Sequence, residues 1–275
     1  MGQGLYESQP FFRREIDKVF KLFQADSDCD LYKLLYGEDG DENQVVETQY
    51  AQPLLFAVEY ALAKYLIHLD IRPDAMIGHS IGELVAACIS GVMSLEDAVR
   101  LVQKRGDLMQ DCGKGLMLSV GLSQDDLLPW LKAGISIASV NSSDLCVVAG
   151  ESHRIIELQK ELEEHSIMCT RLHTSHAFHT ELMDDASEKF KDFADKFHYS
   201  DPLIPILSNL TGKWLNPGEI DGDYWAKHLR EPVQFSPAVS ELLQDGEQTV
   251  FIEIGPGKTL LTFIENHSGK KINII

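Results

Sequence analysis

At 275 residues with 44% hydrophobic content, the chain is long enough to bury one large α/β core, or a large core with a smaller unit inserted in it. Its formal charge of −19 argues against nucleic acid or anionic membrane as a partner, because a strong local basic cluster would be needed to overcome the overall repulsion. No apolar run approaches the ~20 residues that span a bilayer and the start lacks the basic and apolar regions of a signal peptide, so the expected location is the cytoplasm.

The five cysteines are widely spaced and contain no CxxC pair, which points to neither a disulfide framework nor a zinc site; they are expected as small buried hydrophobes. A first helix is predicted over about Gln9 to Phe23, followed by a polar acidic loop at Gly37–Asn43 rich in turn formers. A second helix is predicted from about Gln52 to Leu69, where Leu55, Phe56, Val58, Tyr60, Leu62 and Tyr65 make a wide apolar face. Asp74 to Ile77 reads as the end of a short strand running into Gly78, and from Gly82 the pattern turns helical. Another helix follows Ser94, which with Asp97 three residues on forms an N-cap pattern.

Between Leu116 and Leu172 the rhythm changes to strand, helix, strand, strand, helix, strand, over Leu116–Gly121, Asp125–Lys132, Ile135–Val140, Leu145–Ala149, Ser152–His165 and Ile167–Leu172. That is the βαββαβ order of a ferredoxin-like unit. The expected fold class is therefore α/β: a hydrolase-like large domain with a parallel central sheet, formed by 1–115 and 175–275, and an inserted ferredoxin-like subdomain at 116–174.

Gly78-His79-Ser80-Ile81-Gly82, followed by Glu83, is a G-x-S-x-G placed between a short strand and an apolar helix. Glycines beside the serine permit a sharp, strained turn that lifts its hydroxyl clear of the sheet. At a helix N-terminus the unpaired backbone N–H of Ile81 can stabilise an oxyanion. The competing reading is a glycine-rich turn whose serine is incidental. A catalytic serine needs a base, and ten histidines compete for that role. His79 adjoins the serine, but neighbouring side chains on a tight turn diverge. Ser175-His176-Ala177-Phe178-His179 is better placed, because the chain must return there from the insert to the main body; a purely structural reading of its two histidines as partly exposed loop residues stays open.

GHSIGE at 78–83, Arg105 in Gln103-Lys104-Arg105-Gly106, Asn141 of VNSS, HAFH at 176–179 followed by Leu182-Met183, and EIGPGK at 253–258 stand in the order of the motifs of malonyl-type acyltransferase domains from polyketide and fatty acid synthases. The chain resembles that family over nearly its whole length. The resemblance implies that Ser80 attacks the thioester of an acyl-CoA, malonyl-CoA above all, and that the acyl-enzyme is discharged by the phosphopantetheine thiol of an acyl carrier protein, beside neighbouring synthase domains. No bound cofactor is implied; coenzyme A and phosphopantetheine enter as substrates.

Carried over motif by motif, the resemblance makes Ser80 the nucleophile, His179 the general base and the Ile81 N–H an oxyanion donor. It places at His228, in WAKHLREP, the backbone carbonyl that orients His179. Arg105 would grip the malonyl carboxylate through two parallel charge-assisted bonds, although on the residues alone a helix-end arginine bonded to its own last carbonyls is an ordinary arrangement. Gln52, His176 and Phe178 complete the implied substrate-binding set. Phe178 and Ile81 point away from an α-methyl branch, a preference worth about 1–3 kcal/mol.

The family opens on a strand and a Gly-Gln-Gly-x-Gln motif whose glutamine gives a backbone N–H to the oxyanion hole. Gly2-Gln3-Gly4 resembles the family's next segment instead, so Gln3 is not expected at Ser80, and one half of the oxyanion hole is expected to lie outside this sequence. Two other readings share parts of the pattern. An α/β-hydrolase-like serine esterase or thioesterase has G-x-S-x-G, but its histidine falls near the chain end, whereas about a third of this chain follows His179. An inactive docking domain of a synthase would have no need of an intact Ser80, Arg105 and His179.

Overall fold

The computed structural model describes residues 1–25, 29–37, 42–244, 249–268 and 273–274. Short helix α1 (Gln3–Ser8) leads into α2 (Pro10–Ala25), where Phe12, Ile16, Val19, Phe20 and Phe23 recur at helical spacing and are all buried. Helix α3 (Leu31–Tyr36) is capped by Asp30, whose carboxylate accepts the Lys33 N–H. Much of the acidic loop expected at 37–43 lies outside the described residues, and its end belongs to the one-turn helix α4 (Glu42–Val45).

Helix α5 (Thr48–His68) begins a turn earlier than the sequence predicts and carries Pro53 inside it. Proline favours a helix start because it has no N–H to leave unpaired. Here tertiary packing overrides that preference: Thr48 and Gln52 are buried, and Gly106 of α7 (Leu95–Gln110) comes so near that a Cβ on it would lie 3.2 Å from the Thr48 carbonyl. Strand β1 (Met76–Ile77) precedes α6 (Ile81–Ile89), and α2, α5, α6 and α7 surround the main core. Ser94 caps α7 as expected, accepting the Asp97 N–H at 3.0 Å while its hydroxyl donates to the Asp97 carboxylate at 2.8 Å.

The insert consists of β2 (Leu116–Val120), α8 (Gln124–Leu127), β3 (Ile135–Ser142), β4 (Leu145–Gly150), α9 (Ser152–Glu164) and β5 (Cys169–Arg171). Its strands form an antiparallel sheet of order β3-β4-β2-β5, the ferredoxin-like arrangement, over its own core of Leu118, Val120, Ile137, Val148, Ile155 and Leu158. The helix expected over 125–132 is cut short. A 3-10 turn takes over at Leu128–Trp130, because Pro129 lacks the N–H that would continue the helix.

The chain returns through α10 (Asp184–Ala194) and β6 (Ile206–Leu207), then α11 (Gly222–Arg230), α12 (Phe235–Leu243), β7 (Val250–Phe251), α13 (Thr259–Ser268) and β8 (Asn273–Ile274). Strands β1 and β6 pair in parallel, Met76 with Ile206 and Ile77 with Leu207, and β7 and β8 form a second parallel pair. The fold class is the α/β one expected, with the parallel sheet present among the described residues as these two short pairs. Edge strand β3 is covered by the large domain: Val140 N–H donates to the Val233 carbonyl and Val233 N–H to that of Ala138, both at 2.9 Å.

Cys88 and Cys146 are buried as expected, whereas Cys29, Cys112 and Cys169 are only half-buried. Among the described residues no helix is long and apolar enough to cross a membrane.

Candidate active site

Ser80 occupies the elbow between β1 and α6 with φ 50° and ψ −113°, a conformation that costs a non-glycine residue on the order of 1–3 kcal/mol. Gly78 is needed for close approach, since a Cβ there would run into the backbone of Gly82 and Glu83. Gly82 is under no such constraint; the nearest atom to a Cβ would be Glu59 Oε2 at 3.7 Å. The strain assigned from sequence to the flanking glycines is thus carried by the serine itself. Asn209 holds it there, its Oδ1 accepting the Ser80 N–H and its Nδ2 donating to the Gly78 carbonyl, each at 2.6 Å. The Ile81 N–H opens α6, has no intrahelical acceptor, and is accepted by no group among the described residues.

His179 also has a positive φ, 59°, and places Nε2 3.0 Å from Ser80 Oγ. Its Nδ1 lies 3.0 Å from the carbonyl oxygen of Glu231. A carbonyl only accepts, so Nδ1 carries the proton and Nε2 faces the serine as an acceptor. This corrects the assignment of the orienting carbonyl to His228. Helix α11 ends at Arg230, and Glu231 turns to extended geometry, φ −81° and ψ 158°, as the residue before Pro232 must. That turn aims its carbonyl at the ring, whereas the carbonyl of His228 belongs to the helix. The His228 side chain is buried, its Nε2 3.6 Å from the Glu83 carboxylate with no hydrogen bond on either ring nitrogen. Burial holds its pKa well below 6.5.

Burial, followed by the Arg105 charge and His79, pushes the His179 pKa down to about 3, against the opposing pull of the Glu231 carbonyl. The ring is therefore neutral at physiological pH, as a general base must be. His79 turns away, as expected of a neighbour on a tight turn. Its Nε2 is 2.9 Å from Asn141 Oδ1 on β3, and its ring packs near Phe235 and Phe263.

Arg105 is 1% exposed and lies more than a turn inside α7, so it does not cap its own helix end. Nη1 donates to Gln52 Oε1 at 2.5 Å and Nη2 to Ser80 Oγ at 3.1 Å, while Nε has no partner. Gln52 is itself steadied by donating to Thr48 Oγ1 at 2.7 Å. Burial lowers the Arg105 pKa to about 10, which leaves it cationic at neutral pH. Among the described residues no carboxylate pairs with it. A buried cation without a counter-charge is costly, and an anionic group arriving beside Ser80 would complete the arrangement.

His176 stands apart from this group. Its Nδ1 is 2.7 Å from Ser175 Oγ, the ring is buried, and burial lowers its pKa below the ordinary histidine value. Phe178 is half-buried and stacks on it, ring centroids 5.9 Å apart. Gln3 is exposed on α1, donating to Glu7 Oε1 at 3.0 Å. Sequence reasoning missed Asn209 and Glu231. Pro232 was a legible signal for the second, because X-Pro reads as extended; Asn209, in a polar Ser-Asn-Leu-Thr-Gly run, gave none.

A family profile described as acyl transferase domain matches residues 1–273. The mycoketide-CoA synthase of Mycobacterium tuberculosis is 35% identical over 266 residues, covering 96% of this chain and 6% of that protein. The acyltransferase domain from the second module of the salinomycin polyketide synthase is 34% identical with a TM-score of 0.92, covering 100% of this chain and 64% of that one. A malonyl-CoA:acyl carrier protein transacylase from Xanthomonas oryzae pv. oryzae is 26% identical with a TM-score of 0.87, covering 98% of this chain and 87% of that one. The chain thus spans less than a fifth of the length of the curated synthases it matches.

Proposed function

The chain belongs to the acyl transferase domain family, and from that premise we propose that it moves a malonyl group from coenzyme A to the phosphopantetheine thiol of an acyl carrier protein through an ester on Ser80. The observation that carries this reading is the convergence on Ser80 Oγ of a neutral imidazole, His179 Nε2 at 3.0 Å, and a buried guanidinium, Arg105 Nη2 at 3.1 Å. The first group makes serine nucleophilic, and the second suits an acyl group that carries a carboxylate.

In the first half-reaction His179 Nε2 takes the Oγ proton as Oγ bonds to the thioester carbon, and the Ile81 N–H receives the oxyanion. Collapse breaks the carbon–sulfur bond, and coenzyme A leaves with the proton from His179. In the second half the pantetheine thiol gives its proton to the same nitrogen and attacks the ester, and Ser80 leaves with that proton. An oxyanion donor is worth roughly 10²–10³ in rate. Glu231 keeps the imidazole in one tautomer through both halves.

Substrate and base are coupled through Arg105. Its charge helps hold the His179 pKa down, and a malonyl carboxylate bound to the guanidinium offsets that charge. The base is strengthened when the right acyl group is in place. The carrier protein and neighbouring synthase domains are the partners this reading assigns, with no bound cofactor.

Intact-protein mass spectrometry after mixing with malonyl-CoA tests it. The expected result is one malonyl adduct, absent from Ser80→Ala, that holo carrier protein discharges faster than water does. An adduct that persists on Ser80→Ala, or discharge by water at the carrier-protein rate, would overturn it.

A further inference from the structure

We propose that Asn209 is the positioning residue of the nucleophile elbow: its side-chain amide bridges Gly78 and Ser80 where the sheet ladder stops, fixing the Ser80 hydroxyl and the unpaired Ile81 N–H together. This rests on Ser80 being the nucleophile but not on the identity of the acyl group.

The parallel β1–β6 ladder is in register through Met76–Ile206 and Ile77–Leu207. Immediately beyond it the chain swings into the elbow, and the Gly78 carbonyl and Ser80 N–H need partners away from the strand. A carboxamide offers one acceptor and a donor group in the arrangement of a peptide, and Asn209 supplies both at 2.6 Å. Asn209 is 1% exposed and is itself anchored. Its N–H donates to Glu83 Oε2 at 2.6 Å, and its carbonyl accepts the Gln234 N–H at 2.7 Å. Glu83 in turn accepts from the Tyr224 hydroxyl, which lies 2.8 Å from Ser208 Oγ.

Two consequences meet at Ser80. Its N–H is occupied by Asn209 and so is not the oxyanion donor, which leaves that role to Ile81. The positive φ of the serine is over-determined by a buried network; without the amide the elbow is free to relax and carry Oγ away from His179.

The test measures Ser80 labelling by a fluorophosphonate, in which the phosphorus–oxygen bond forms as fluoride leaves and the proton goes to His179. A parent protein labelled by fluorophosphonate but not by malonyl-CoA would sink the malonyl reading alone. A parent labelled by neither would sink Ser80 as nucleophile and this inference with it. Asn209→Ala is expected to slow labelling about 100-fold, the scale of a misplaced reacting atom, with KM for malonyl-CoA little changed.

Asn209→Asp keeps the acceptor for Ser80, but its second oxygen can donate to the Gly78 carbonyl only when protonated. Its labelling rate relative to the parent should therefore climb as pH falls from about 8 to about 5. His179 stays neutral over that range, with its pKa near 3. The parent profile corrects for the nearby titrating groups Glu83, Tyr224, His228, His79 and Arg105. If Asn209→Ala loses its cooperative thermal transition, the Asn209→Asp ratio decides. Labelling of Asn209→Ala at the parental rate, or a flat Asn209→Asp ratio, would overturn the proposal.

Discussion

Replacing Arg105 by alanine removes two donors and a buried charge from beside Ser80, and the two losses have separate signatures. Two charge-assisted hydrogen bonds to a carboxylate are worth about 1.5–3 kcal/mol each. Their sum, about 3–6 kcal/mol, corresponds to roughly 10²–10⁴ in specificity. The lower end applies, because water entering the vacated space solvates the carboxylate in part, so the malonyl to acetyl ratio of kcat/KM should fall by about 10². Acetyl transfer should hold or improve. The guanidinium is the second-largest influence holding His179 down, and its loss lets the base rise toward its ordinary value. Activity needs the neutral ring, so the acid limb of acetyl transfer should move to higher pH than in the parent.

The variant also leaves Gln52 Oε1 without its donor, at a cost of about 1–3 kcal/mol in stability that the removal of an uncompensated buried charge offsets. The assay is carrier-protein acylation from malonyl-CoA and acetyl-CoA at several pH values. An equal fall with both substrates and an unmoved acid limb would refute the reasoning and make Arg105 a packing residue.

In the parent, acylation of Ser80 should show no acid limb near the ordinary histidine value of 6.5; the loss should come near pH 3, where His179 charges, and a half-loss close to 6.5 in kcat/KM would contradict it. Gly78→Ala should destabilise by about 1–3 kcal/mol or more through overpacking, while Gly82→Ala should leave stability unchanged or raise it by about 0.5 kcal/mol, as chemical denaturation would show. Phe178→Ser should raise methylmalonyl transfer relative to malonyl by up to about 10–200-fold, the worth of one methyl group in a pocket, in a competition assay with both thioesters. Glu231→Ala should keep nearly parental turnover, whereas Pro232→Ala should lower it by loosening the carbonyl that holds His179; the reverse ranking in steady-state kinetics would place the role in the Glu231 side chain.

The parts of this protein that could be read from its sequence are those encoded locally. The insert announces itself because strand alternation and helical spacing follow one another within a few residues, and Ser94 signals its helix because cap and capped N–H are three residues apart. The early start of α5 was hidden because it depends on Gly106, which admits the Thr48 carbonyl from another helix. Ser80, Arg105 and His179 were visible through resemblance to a family. Chemistry alone left Arg105 ambiguous, since nothing local says that it is buried or that it reaches Ser80 Oγ. Asn209 lies 129 positions from the serine whose N–H it accepts, and an asparagine in a turn-rich run looks the same whether or not it does so. His228 stood out over Glu231 because neither side chain is involved, so side-chain identity gave no guide to which carbonyl turns outward.

The third partner of Ser80 and His179 is an atom that every residue possesses. A carboxylate in that place could be exchanged, protonated or lost by one substitution; the carbonyl of Glu231 has no ionisation state. Genetic control over it passes to the residue behind, where a proline ring fixes a torsion angle. Mutational surveys that sample only polar and charged positions would overlook this determinant. Residue 231 should therefore tolerate substitution so long as position 232 keeps the chain extended.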